Sequence, residues 1–317
     1  MNVVFLDTVH PILQERLSAL GWNCIDETSS TIEASKKSLA IAEGIVIRAR
    51  FRLDASILQF APQLKFIARS GAGMENIDQD YCEKRNIQLI NAPEGNRNAV
   101  GEHALGMLLA LLNKLHTADR EVRNGIWDRE GNRGLELDGL TVGIIGFGNN
   151  GSAFAKKLRG FDVQGLAYDK YKSDLGDEFV KVSTLTEVYE KADVVSFHIP
   201  QNEETLFFAD DSFFNQFKKP FFLLNLSRGK IVKTSALVTA LKTGKVRGAG
   251  LDVLEFEKSS FEQLFDQELT SDFRYLLKAK NVILSPHVGG WTEESYFKLS
   301  DVLANKIIQR FNESNIQ

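Results

Sequence analysis

The stretch TVGIIGFGNNG, residues 141–151, constrains this 317-residue chain more than any other. An apolar run of strand character passes directly into G-x-G-x-x-G, formed by Gly146, Gly148 and Gly151, and then into the helical spacing of GSAFAKKLRG. Between a strand and a helix each glycine has a task. Gly146 permits the tight turn, Gly148 lets a pyrophosphate approach the main chain, and Gly151 lets the helix pack close to the strand. The helix N-terminus offers unpaired N–H groups and the positive end of its dipole. Asn149 and Asn150 fill the intervening positions, where main-chain groups hold the phosphates and Asn tolerates turn geometry. Such loops often carry an apolar residue at position 150, so Asn150 is a departure. Asp169 ends the next strand-like run, GLAYD. An acidic residue there accepts hydrogen bonds from ribose hydroxyls and repels the extra phosphate of NADP. These features predict an NAD site, with Lys170 and Lys172 near enough to soften the preference over NADP.

The same alternation runs through most of the chain. Strand-like runs NVVFLD, GIVIRAR, LKFIARS and IQLINAP precede the glycine motif, and DVQGLAYD, ADVVSFHIP, PFFLLNLS, VRGAGLDV and NVILSPH follow it, with amphipathic helical patterns between them. This order predicts an α/β protein with parallel sheets covered by helices on both faces. At roughly 100–200 residues per domain, the length suggests two such doubly wound, Rossmann-like domains. Residues 99–125 break the alternation and read as one long helix crossing between lobes. The closing TEESYFKLSDVLANKIIQRF reads as a helix capped by Thr292.

Composition removes several classes. A net charge of −4 gives no basic field for nucleic acid. Cys24 and Cys82 have no C-x-x-C partners and no histidines clustered with them, so neither a metal site nor a disulfide framework is expected, and a reducing compartment is. The opening MNVVFLD reads as a strand and not a signal peptide. The longest apolar stretch, HALGMLLALL, falls short of the ~20 residues a membrane span needs. The expectation is a cytoplasmic protein without membrane or nucleic-acid partners.

Three later segments carry chemistry. NLSRGKIV supplies Arg228, GAGLDVLEFE supplies Asp252 and Glu257, and SPHVGGWT supplies His287. Each falls at or just past the C-terminal end of a predicted strand, the edge where open parallel sheets bind ligands. A guanidinium holds a carboxylate through a planar fork. An imidazole titrates in the range suited to taking a hydroxyl proton. A carboxylate on its other nitrogen fixes the tautomer. His10, His103 and His116 read as structural. After LKFIA, the loop Ser70, Gly71, Ala72 and Gly73 offers a nest of backbone N–H groups suited to a carboxylate. Arg48, Arg50 and Arg52 alternate, so a strand would put them on one side. There they either hold a phosphate or form a solvated edge.

Taken in order, RSGAGMENID, NAPEGNRNAVGEHALG, the glycine loop, HIP, NLSRGKIV, AGLDVLEFE and PHVGG resemble the D-isomer-specific 2-hydroxyacid dehydrogenases over nearly the whole chain. IVIRARFRLD and RSGAGMENID look most like the short phosphoglycerate dehydrogenases of that family. The resemblance implies that Arg228, Glu257 and His287 are catalytic. It implies that His198, Pro200, Thr205, Ser227, Asp252, Gly289 and Gly290 join the glycine loop in binding NAD, and that residues 70–73 hold the substrate carboxylate opposite Arg228. It further implies a discontinuous substrate domain, 1–98 plus 289–317, around an NAD-binding domain, 99–288, with a cleft that closes on a small 2-hydroxy or 2-keto acid. The segment after Asn98 would form a homodimer. The first substrate is 3-phosphoglycerate; the alternatives are hydroxypyruvate or glyoxylate reduction, or a non-enzymatic NAD-binding corepressor. A His–Glu pair argues against formate oxidation. The family's proline after the glutamate is replaced by Lys258, and the stretch from Glu257 to His287 looks longer than in compact relatives.

Overall fold

The structure, a computed structural model, describes residues 1–172, 178–257 and 269–312; Lys258 and the stretch after it lie outside the described residues. The described residues divide into two compact units, one formed by residues 1–96 with 291–312, the other by residues 97–172, 178–257 and 269–290.

In the first unit, β1 (Asn2–Phe5), β2 (Asn23–Asp26), β3 (Gly44–Ile47), β4 (Phe66–Arg69) and β5 (Gln88–Asn91) form a parallel sheet in the order β2-β1-β3-β4-β5. β3 and β4 are buried throughout, as strands covered on both faces must be. Alternate residues serve opposite cores. Val3, Phe5, Val46 and Phe66 face one core with Leu13, Leu17 and, from the last helix, Leu299, Leu303 and Ile307. Val4, Ile45, Ile47 and Ile67 face the other with Leu39, Leu58 and Ile77. The last helix, Glu293–Asn312, is opened by a reciprocal box: Ser295 N–H donates to Thr292 Oγ1 (3.1 Å) and Thr292 N–H to Ser295 Oγ (2.9 Å).

The arginine trio does not share a strand face, which corrects the expectation for Arg48, Arg50 and Arg52. β3 ends at Ile47 because Asp7, two residues past β1, takes the next three amides. Its Oδ2 accepts from the N–H groups of Arg48 (3.1 Å), Ala49 (2.8 Å) and Arg50 (3.0 Å). The chain bends there and the two-residue alternation stops. The Arg50 guanidinium donates to the carbonyls of Leu6, Glu27 and Thr28. That of Arg48 lies over the Trp291 ring, 4.5 Å from its centroid.

In the second unit, β6 (Thr141–Ile145), β7 (Gln164–Tyr168), β8 (Val180–Val182), β9 (Val194–Phe197), β10 (Phe221–Asn225), β11 (Val246–Leu251) and β12 (Val282–Leu284) form a parallel sheet. Their order is β12-β11-β10-β9-β6-β7-β8. The chain runs outward from β6 to β8, then returns to β9 on the other side of β6. That reversal is the switch point where such sheets open a crevice. The edge strands β2 and β8 carry the short polar runs NCID and VKV, which give no strand signal in the sequence. The single helix expected over 99–125 is two helices, Pro93–Leu112 and Leu115–Arg123. Lys114 takes a left-handed conformation (φ 53°) between them and breaks the ladder. Among the described residues no helix is long and apolar enough to cross a membrane.

Asp7 is 5% exposed. Asp7→Ala should strand its three acceptor-less amides and lower the urea-unfolding free energy by about 2–4 kcal/mol. Asp7→Asn, which keeps one acceptor, should lose less.

Candidate active site

Every strand of the second sheet points its C-terminal end to the same edge, and the sequence-predicted residues of this unit follow those ends. After β6, Gly146 takes φ 90°, and a Cβ there would stand 2.7 Å from the His198 carbonyl that follows β9. A Cβ on Gly151 would strike the Gly146 carbonyl oxygen, whereas Gly148 has nothing within 4 Å of where its Cβ would be. The loop is therefore closed to side chains at two glycines and open at the third. Gly148 caps the helix Asn149–Leu158 without a side-chain hydrogen bond. This cradle fits a pyrophosphate: bare backbone, a helix N-terminus, and room beside Gly148. The Oδ1 of Asn150 is buried and has no partner among the described residues.

Asp169 lies just past β7 and is tied to the glycine loop. Phe147 N–H donates to its Oδ2 (2.8 Å) and Tyr171 N–H to its Oδ1 (3.0 Å). Lys170 is matched by Glu204 at 2.6 Å, so its charge is answered away from Asp169. His198 keeps its backbone at the edge and turns its ring inward. The ring lies 5.5 Å from that of Phe154, and Nε2 shares a 2.8 Å hydrogen bond with Ser196 Oγ. Burial holds the imidazole far below its usual value, at about 3, so it is neutral. Thr205 Oγ1 donates to the Pro200 carbonyl (2.6 Å) and accepts from Asn202 N–H (2.8 Å), closing the loop after β9.

The loops after β10, β11 and β12 interlock. His287 Nδ1 meets Glu257 Oε2 at 2.8 Å, and Leu254 N–H donates to the other oxygen of Glu257. Asn225, at the end of β10, braces the arginine loop: its Nδ2 donates to the Arg228 carbonyl (2.9 Å), and its Oδ1 accepts from Ser227 N–H (3.1 Å) and Oγ–H (2.9 Å). Arg228 Nη1 donates to the Ser227 carbonyl (2.7 Å). Gly229 is packed on the Leu254 carbonyl so closely that a Cβ would collide with it. That contact joins the arginine loop to the glutamate loop.

Asp252, expected to face the cofactor, is 2% exposed and committed to the histidine loop. Its Oδ1 accepts from Val288 N–H (2.9 Å) and Ser285 Oγ–H (2.6 Å), and its Oδ2 from Gly289 N–H (2.8 Å). A Cβ on Gly289 would stand 2.8 Å from that same Oδ2. Gly290 follows and closes this unit. Sequence reasoning missed Asn225, Gly229 and Ser285, each of which lies inside a quoted motif and supports a neighbouring loop. It also missed His103, whose Nε2 lies 3.0 Å from Ser285 Oγ. Among the described residues no three of His, Cys, Asp and Glu gather as a metal site.

In the first unit, the loop Ser70, Gly71, Ala72 and Gly73 follows β4. Ser70 N–H is tied to the Ile47 carbonyl (2.8 Å), which removes one donor from the expected nest. Gly71 takes φ 153°, and the buried Arg69 guanidinium lies beneath it where a Cβ would collide. Asn91 Nδ2 donates to the Ala72 carbonyl (2.6 Å) and fixes the turn. A positive group under a glycine turn suits the loop to an anion.

The profile of the D-isomer specific 2-hydroxyacid dehydrogenase, NAD binding domain, matches residues 105–289. Over 306 residues, 94% of this chain, the sequence is 33% identical to D-3-phosphoglycerate dehydrogenase of Archaeoglobus fulgidus, of which it spans 55%. Over 309 residues it is 31% identical to glyoxylate reductase of Pyrococcus furiosus, with 94% of this chain and 87% of that one covered. The crystal structure of D-lactate dehydrogenase from Aquifex aeolicus, complexed with NAD and lactic acid, aligns with a TM-score of 0.83 at 29% identity, covering 99% of this chain and 96% of that one. The chain thus spans about half of one curated relative and most of the other.

His198 makes stability depend on pH. In the unfolded chain the ring takes a proton near its ordinary 6.5, and in the folded protein only near 3. The unfolded state therefore binds more protons between those values, and stability falls as pH drops below 6.5. From pH 7 to pH 5 this contribution should cost about 2 kcal/mol in urea unfolding. His198→Gln should show a shallower decline over the same interval.

Proposed function

This chain belongs to the D-isomer-specific 2-hydroxyacid dehydrogenase family, and from that membership we propose that it transfers hydride between NAD and a small D-2-hydroxy acid. The observation that carries the reading is the 2.8 Å His287–Glu257 pair on the same sheet edge as the glycine cradle. Glu257 holds Nδ1, so Nε2 exchanges the proton: it takes the substrate hydroxyl proton in oxidation and returns it in reduction. Arg228 holds the substrate carboxylate through its fork. In the first unit, the anion-suited turn of Ser70, Gly71, Ala72 and Gly73 is proposed to bind a substrate anion. Asp169 receives the ribose hydroxyls, while Gly146, Gly148 and Gly151 admit the pyrophosphate. NAD, when bound, supplies the hydride acceptor.

Two substrate readings follow. Likeness to D-3-phosphoglycerate dehydrogenase supports 3-phosphoglycerate. The disposal of Arg50 onto backbone carbonyls favours the second, hydroxypyruvate or glyoxylate, because it leaves a phosphate fewer cations. A homodimer is proposed through the segment after Asn98, where Leu115, Val122, Ile126 and Trp127 are exposed, Trp127 by 79%.

The test follows NADH absorbance with purified protein and a panel of phosphorylated and unphosphorylated 2-hydroxy and 2-keto acids. Turnover of some member is expected. Tight NAD binding with no turnover on any of them would replace the dehydrogenase reading with the corepressor. His287→Gln should lower kcat by roughly 10²–10⁴-fold with NAD affinity retained. Asp169→Ala should weaken NAD and narrow its margin over NADP, read as the ratio of the two dissociation constants.

A further inference from the structure

We infer that His103 is a positioning residue for His287, acting through Ser285 and Asp252; the inference rests on reading His287 as the proton-transferring group. His287 takes φ 56°, a left-handed conformation that is unfavourable for a side-chain-bearing residue. Glu257 orients the ring but does not hold the backbone. Asp252 does. Its carbonyl accepts His287 N–H (2.8 Å), and its two carboxylate oxygens accept the next two amides, those of Val288 and Gly289. The unusual backbone at His287 therefore stands as long as the Asp252 side chain stays in place.

A carboxylate buried this deeply must have its charge answered. The short bond from Ser285 Oγ–H to Oδ1 is one answer. A hydroxyl has a single proton, so once Ser285 donates to Asp252 its oxygen offers only lone pairs to His103 Nε2, 3.0 Å away. That fixes His103 as the donor. The same Nε2 lies 3.6 Å from Asp252 Oδ1, and among the described residues His103 is the one side chain able to carry positive charge within 4 Å of that carboxylate. His103 itself is immobilised by its helix, Pro93–Leu112, whose Ala104, Met107 and Leu108 are buried in the core of this unit. The order of donation is His103 to Ser285, Ser285 to Asp252, and the amides of 287–289 to Asp252. A histidine that reads as helix packing thus lies three hydrogen bonds from the acid–base group.

The experiment pairs kinetics with a readout that needs no substrate. His103→Ala and Ser285→Ala should each lower kcat about 10–100-fold, and the double variant should lose no more than the worse single, because both break one chain. His103→Asn, which restores an N–H donor, should recover most of the loss, and NAD affinity should stay unchanged throughout. In protein labelled with ¹⁵N-histidine, the His287 ring resonances, assigned by their loss in His287→Gln, should move in both alanine variants and return in His103→Asn. Resonances that stay in place in folded Ser285→Ala and His103→Ala protein overturn the inference, as do losses that add or that asparagine does not relieve. If His103→Ala fails to fold, His103→Phe makes the same comparison. Resonances that move in a protein turning over no 2-hydroxy acid would uphold the positioning and sink the dehydrogenase reading instead.

Discussion

A carboxylate set just past the end of a strand, gathering the amides of the neighbouring strand's loop, is the interaction on which both units depend. Asp7 follows β1 and collects the amides after β3. Asp169 follows β7 and takes Phe147 N–H after β6. Asp252 follows β11 and takes the amides of Val288 and Gly289 after β12. In each case a parallel neighbour runs out of sheet partners at the same edge, and its freed N–H groups must find acceptors. One carboxylate answers two needs: it satisfies those donors and fixes the path of the neighbouring loop.

Glycine provides the complementary constraint. At Gly146, Gly229 and Gly289 a Cβ would meet backbone or carboxylate atoms of another loop. Loops from different strands can interlock there because nothing stands between them. The arginine loop leans on the glutamate loop through Gly229 and Leu254, and the glutamate then meets the histidine. Three segments far apart in sequence are thereby linked, the first two through main-chain packing and the last two through a side-chain pair.

The fold was legible because its signals are local. Apolar runs of strand length, turn residues and the glycine spacing all act within a few residues, and they recovered the parallel sheets and the edge on which Arg228, Glu257 and His287 stand. Where legibility failed, a distant partner was the cause. The alternation of Arg48, Arg50 and Arg52 implied one strand face, but Asp7, some forty residues earlier in the chain, ended the strand. The helix over 99–125 had continuous apolar spacing, yet a left-handed Lys114 divides it. The polar edge strands β2 and β8 owe their pairing to the neighbours they meet.

The sequence alone determined the family pattern and the order in which its candidate groups occur: a bare-backbone loop with an acidic residue beyond the next strand, then a guanidinium, a carboxylate and an imidazole. Only the tertiary structure decided how those groups are held. It put Asp252 under the histidine loop, sent Arg50 to backbone carbonyls and brought His103 to Ser285. The reason is physical. Residue type and spacing fix what a side chain can donate or accept, but the partner that satisfies it is chosen by packing, which joins positions the chain keeps far apart.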